Sequence, residues 1–175
     1  MDELSHEKQI GYRDARINGK YDSIWQNVDR CVFCDLGDSD EYTVYEENGI
    51  ILRISTYAYV DGHMLIIPRR HVRSVKELTP SEWETVRKMM YIAKKMIRKS
   101  YGVKGMQIVQ KDGAVAQSTV EHLHFHCIPF DSPDLTTWNY HKLQYTPIEN
   151  TRKYTDKKTD IEKLAKRFAE KYKDE

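Results

Sequence analysis

The chain has 175 residues, 39% of them apolar and 31% charged. That is enough for one domain with its own core and too little for two of full size. With 28 basic and 27 acidic side chains, its net charge of +1 excludes a binder that holds nucleic acid by bulk positive charge.

No run approaches the roughly 18 consecutive apolar residues of a membrane span. The opening stretch from Met1 to Lys20 has neither the apolar centre of a secretory signal nor a lipidation motif. Three cysteines do not make a disulfide framework in a chain of this length, so a reducing cytoplasm is the expected compartment.

In chain order, residues 1–27 are polar with scattered apolar positions (Ile10, Tyr12, Ile17, Tyr21, Ile24, Trp25), and a loosely helical arm is expected. Tyr42 to Tyr45 and Ile50 to Ile54 read as strands joined through Asn48-Gly49, the strongest short hairpin signal. Met64 to Ile67 is a further short apolar run, ended by Pro68. A helix is expected from Pro80 to Tyr101. Thr79 caps it, Glu82 completes a capping box, and Gly102 ends it. Val86, Met89, Met90, Ala93, Met96 and Ile97 give that helix one apolar face.

Met106 to Val109 and His122 to Ile128 read as two more strands, separated by a small, polar loop from Lys111 to Thr119. Residues 131–150 show no clear period. Residues 156–172 read as a charged helix with Ile161, Leu164, Phe168 and Tyr172 on one stripe. The order of strands, one long helix, then strands argues an α+β fold with an antiparallel sheet. The expected organisation is an N-terminal extension over residues 1–27, a main domain over 28–135 and a C-terminal extension over 136–175. The last 25 residues carry nine basic and six acidic side chains, so the tail is basic while the body is slightly acidic. A solvated, ion-paired helix is the default reading of that tail, and a nucleic-acid 5′-end substrate is a less favoured one.

The sharpest chemical feature is His122-Leu-His124-Phe-His126. In a strand, residues i, i+2 and i+4 share a face, so three imidazoles would line one side. Such a face can hold a catalytic metal, but the outer two residues are ~13 Å apart at about 3.3 Å per residue. Their nitrogens would have to converge to roughly 2.1 Å from one centre, so a division of labour fits better. Cys31-Val-Phe-Cys34 is a zinc half-site, a redox pair or a pair of packed thiols. If it holds zinc, His71 and His122 are the candidate further ligands. Asp61-Gly62-His63 precedes the Met64 strand, and Gly62 would permit close backbone approach.

His122-x-His124-x-His126 resembles the signature of the histidine triad (HIT) family of nucleotide hydrolases and transferases. Gly62-His63-Met-Leu-Ile-Ile-Pro68-Arg-Arg-His71 resembles that family's glycine-histidine strand and its following proline-x-x-histidine. The likeness covers Cys31 to about Phe130. It implies a homodimeric α+β fold and a two-step mechanism. His124 would attack an α-phosphorus to form a nucleotidyl-histidine, and His126 and His63 would assist. It implies a structural zinc on Cys31, Cys34, His71 and His122, with no catalytic metal required. Gln117 and Ser118 resemble the family's phosphate-binding pair, and Gln110 stands where an Asn is common. Ser55 stands at the ribose-contacting position, in a stretch most like the dinucleoside-polyphosphate phosphorylase branch. The implied substrates are dinucleoside polyphosphates or nucleoside phosphoramidates. Phosphorolysis and a non-catalytic nucleotide-binding module are the alternatives.

Overall fold

A computed structural model describes residues 3–18, 31–37, 40–112, 120–131 and 143–171. The strands are β1 (Thr43–Glu47), β2 (Ile50–Ile54), β3 (Met64–Pro68), β4 (Gly105–Gln110) and β5 (Phe125–Phe130). The helices are α1 (Glu3–Ile17), α2 (Pro80–Tyr101), α3 (Pro147–Thr155) and α4 (Lys158–Lys171). All strand pairs are antiparallel, in the spatial order β1-β2-β3-β5-β4. None of the described helices is long and apolar enough to cross a membrane.

The β1–β2 turn follows its sequence signal. Asn48 has φ 50° and Gly49 φ 68°, the paired positive values that a tight hairpin between right-twisted strands requires. Ile50, Leu52, Ile54, Met64 and Ile66 alternate into a core with Met89, Ile92 and Met96 of α2. By the same alternation, Arg53, Leu65 and His126, which lie side by side in register, face away from α2. That opposite face carries the histidine chemistry.

Helix α2 starts as its capping box dictates. Thr79 N–H donates to Glu82 Oε2 at 2.8 Å, and Glu82 N–H donates to Thr79 Oγ1 at 3.2 Å. Arg70 grips the same carboxylate and, with the Thr79 N–H, lowers the Glu82 pKa to about 2. Gly102, at φ 71°, closes the other end.

The terminal segments differ from the expectation. The arm forms a regular helix, α1, although residues 19–27 lie outside the described residues. Gln9 ties it down by donating to Tyr42 Oη at 2.7 Å and accepting from Ile148 N–H at 3.0 Å. The charged helix expected over 156–172 is α4, but a separate helix, α3, starts eleven residues before α4, in the stretch that shows no period. Its inner face buries Asn150 and Thr151 beside Tyr154, so polar residues conceal the apolar repeat. On α4, Ile161, Ala165 and Phe168 are buried, and Arg87 of α2 lies 4.7 Å from the Phe168 ring centroid. Tyr172 lies outside the described residues.

Helix α3 also braces the turn that enters β3. Tyr154, with no exposed surface, donates to the Gly62 carbonyl at 3.0 Å. The Asp61 carboxylate accepts from the Gln144 and Tyr145 N–H groups at 2.8 and 3.2 Å. Gly62 has φ 81°, and a Cβ there would lie 2.7 Å from both Tyr101 and Tyr154. Gly62→Ala is therefore expected to cost about 2–5 kcal/mol, from left-handed strain plus overpacking. Urea unfolding checks this, and a loss below about 1 kcal/mol would contradict the tight fit.

Candidate active site

The triad does not lie on one strand. β5 begins at Phe125, so only His126 is a strand residue, while His122 and His124 sit in the irregular segment before it. The reason is at the end of β3. Pro68 has no N–H for the ladder, and its carbonyl accepts from His122 Nε2 at 2.7 Å instead. Leu123 N–H donates to the Val72 carbonyl at 2.7 Å, which draws the chain away from the sheet. The three rings consequently face different neighbours.

His122 faces the cysteines. Because a carbonyl only accepts, His122 carries its proton on Nε2, which leaves Nδ1 bare in the neutral ring. That Nδ1 lies 3.3 Å from Cys31 Sγ and 3.6 Å from Cys34 Sγ. His71 Nδ1 lies 3.1 Å from Cys34 Sγ, and the four donor atoms are all within 4.8 Å of one another. A tetrahedron with about 2.3 Å to sulfur and 2.1 Å to nitrogen has edges of roughly 3.4–3.8 Å. Two thiols and two imidazoles at this spacing fit zinc in donor type, number and distance. The Pro68 carbonyl is the outer partner that orients the His122 ring. Burial also pushes the His122 imidazole below its ordinary pKa, which favours the neutral, ligating form.

Between the two cysteines, Phe33 packs edgewise on His124, ring centroids 5.0 Å apart, and on His122 at 5.8 Å. Sequence reasoning passed over it, although its place inside the cysteine pair was the available signal. His124 donates from Nδ1 to the His122 carbonyl at 2.7 Å, so its bare nitrogen is Nε2. The ring is buried, and burial is the main cause that lowers its pKa below the usual imidazole value. The His122 hydrogen bond opposes that shift, while the His122 and Lys111 charges add to it.

His126 and His63 are linked in series. Tyr59 N–H donates to His63 Nδ1 at 3.2 Å, so His63 carries its proton on Nε2. His63 Nε2 lies 3.0 Å from His126 Nδ1, and the donation runs from His63 to His126. His126 then presents an N–H at Nε2, and its ring lies 4.9 Å from that of His124. A bare nucleophilic nitrogen and a ring N–H donor thus stand side by side. Three backbone groups fix these tautomers: the His122 carbonyl, the Pro68 carbonyl and the Tyr59 N–H.

The other expected site residues are placed as follows. Ser55 donates its N–H to the His63 carbonyl at 3.0 Å, and its buried side chain lines a crevice with Tyr12, Arg13, Leu143 and Tyr145. Gln110 ends β4 and donates from Nε2 to the Lys111 carbonyl at 3.1 Å. Gln117 and Ser118 lie outside the described residues.

Known proteins resemble this chain in sequence and in fold. An uncharacterised HIT-like protein of Methanocaldococcus jannaschii is 30% identical over 105 residues, 57% of this chain and 78% of that one. The asymmetrical bis(5′-nucleosyl)-tetraphosphatase of Schizosaccharomyces pombe is 37% identical over 92 residues, 50% of this chain and 47% of that one. The crystal structure of a zinc-bound histidine triad family protein from Mycobacterium smegmatis matches with a TM-score of 0.64 at 22% identity. It covers 76% of this chain and 96% of that one. The pattern of the HIT domain matches residues 37–132, a stretch that holds all five strands, His63, His71 and the triad. The chain belongs to the HIT domain family.

Proposed function

We propose that the protein is a nucleotide hydrolase or nucleotidyl transferase that cleaves an α-phosphate linkage through a covalent intermediate on His124. The observation that carries this reading is the bare Nε2 of buried His124 beside the Nε2–H of His126. A neutral imidazole is a competent nucleophile, and splitting one displacement into two lowers each barrier.

In the first step the His124 Nε2 lone pair bonds to the α-phosphorus, and the bond to the leaving group breaks. A polyphosphate leaving group departs as an anion and needs no proton. His126 Nε2–H stabilises it by hydrogen-bonding the bridging oxygen as charge builds there. His63 holds His126 in the donating tautomer. In the second step water bonds to phosphorus, the phosphorus–nitrogen bond breaks, and one proton passes to solvent. Inorganic phosphate as acceptor would release a nucleoside diphosphate instead. An amine leaving group, as in a nucleoside phosphoramidate, must also gain a proton, which asks more of His126. The tetraphosphatase relative supports a dinucleoside polyphosphate as substrate. Gln110, Gln117, Ser118 and Ser55 are assigned to phosphate and ribose.

Zinc on Cys31, Cys34, His71 and His122 is structural in this reading, in keeping with the zinc-bound mycobacterial relative. When bound it supplies a rigid anchor for His122, whose carbonyl sets the His124 tautomer. A metal-dependent hydrolase using two triad histidines as ligands is disfavoured, because His122 Nδ1 faces the cysteines and His126 Nε2 carries a proton, which leaves only His124 Nε2 bare. The reduced thiols suit a cytoplasmic setting. A homodimer is also part of the proposal. Among the described residues β4 pairs only with β5, and Ile108 on it is 46% exposed, a sheet edge that a second copy can cover.

Product analysis with dinucleoside polyphosphates and nucleoside phosphoramidates, with and without inorganic phosphate, tests the activity. Nucleoside monophosphate in both conditions means hydrolysis, and phosphate-dependent diphosphate means phosphorolysis. No turnover of either class by the zinc-loaded protein would leave a nucleotide-binding module.

A further inference from the structure

We propose that Lys111 is a docking cation for the phosphates beyond the reacting one, the part of the substrate that departs. The proposal rests on the nucleotide reading above and deepens it.

Lys111 follows directly on β4 and is half-buried. Its Nζ donates to Tyr59 Oη at 3.0 Å and lies 5.4 Å from the Tyr59 ring centroid. The same ring stacks on His63 at 4.9 Å and on His126 at 5.6 Å. One aromatic plate therefore joins this ammonium to the two imidazoles assigned to the leaving group.

Lys111 differs from the other partly or fully buried cations on the sheet and on α2. Arg53 pairs with Asp40, Arg69 with Glu46, Arg87 with Glu84 and Lys88 with Glu47. No carboxylate among the described residues pairs with Lys111. A half-buried ammonium forfeits solvation that a phenol oxygen returns only in part, so the group is poised for a stronger acceptor. A phosphate oxygen is that acceptor, since charge-assisted hydrogen bonds are about twice as strong as neutral ones. Lys111 is one ring away from His126, the imidazole assigned to the leaving group, which makes the departing phosphates its proposed partner. The chemistry selected is an anion of two or more linked phosphates.

The test is calorimetric titration of inorganic tripolyphosphate into the zinc-loaded full chain. The Lys111→Met and Lys111→Gln variants are expected to bind it about tenfold to a hundredfold more weakly, the usual loss for a charged hydrogen bond. Lys111→Arg, which keeps the charge, is expected to restore most of the affinity. Thermal melting within a few degrees of the unaltered protein shows that the variants fold. Unchanged affinity in both neutral variants, or no binding to the unaltered protein, overturns the proposal. The nucleophile assignment fails separately: Lys111-dependent binding with no covalent adduct on His124 removes the histidine mechanism and retains the docking cation.

Discussion

Replacing His124 with alanine is expected to lower turnover of every nucleotidyl substrate by at least about 10⁴-fold, with melting changed by only a few degrees. The size follows from what is lost. His124 Nε2 is the bare ring nitrogen beside the His126 donor, and no neighbouring side chain among the described residues can replace it. His122 offers its bare Nδ1 to the cysteines, and His63 offers Nδ1 to the Tyr59 N–H. Without the nucleophile, water must attack directly, and the remaining donors act on a slower single displacement. His124→Asn keeps more of the ring volume and should behave like alanine in kcat. Steady-state kinetics on a panel of dinucleotides measures the effect, and retention of more than about a tenth of the activity would remove His124 from the mechanism.

The second large effect concerns the cysteine pair. Cys31→Ser with Cys34→Ser is expected to abolish zinc retention and to destabilise the chain by about 2–5 kcal/mol, comparable to losing a covalent cross-link. For a chain of this length the midpoint falls by roughly 5–15 °C. Activity should fall with stability, about 10- to 100-fold, carried by kcat rather than KM. The coupling is short: the His122 ring is the ligand and the His122 carbonyl fixes His124, while Phe33 between the cysteines packs on the same ring. Elemental analysis with thermal melting checks this. An unchanged midpoint with no zinc in the unaltered protein would contradict a structural metal.

Much of this arrangement is legible in the residues because it rests on local rules. Asn48-Gly49 specifies a turn that only positive φ values build, and Thr79-Pro80 with Glu82 states where α2 begins. The four zinc candidates stand out because few residue types ligate metal, and the fold brings them together from three separate segments. Helix α3 carried the same signal as α2, Thr146-Pro147 followed by Glu149, but its buried polar face masked the period. The start of β5 was misread for a different reason. Alternation of histidines with apolar residues looks like a strand, yet the hydrogen bonds of His122 and Leu123 to Pro68 and Val72 are tertiary and leave no local trace. Lys111 leaves no local trace for the same cause, since what distinguishes it is the aromatic ring it meets after folding, whereas Phe33 is marked only by its place between the two cysteines.

Intact-mass analysis of the protein quenched during turnover tests the central claim most directly. The account predicts a mass increase of one nucleotidyl group, acid-labile as a phosphorus–nitrogen bond is, mapped to His124 and missing from His124→Ala. Full turnover with no such adduct, or an adduct on another residue that survives His124→Ala, would contradict it.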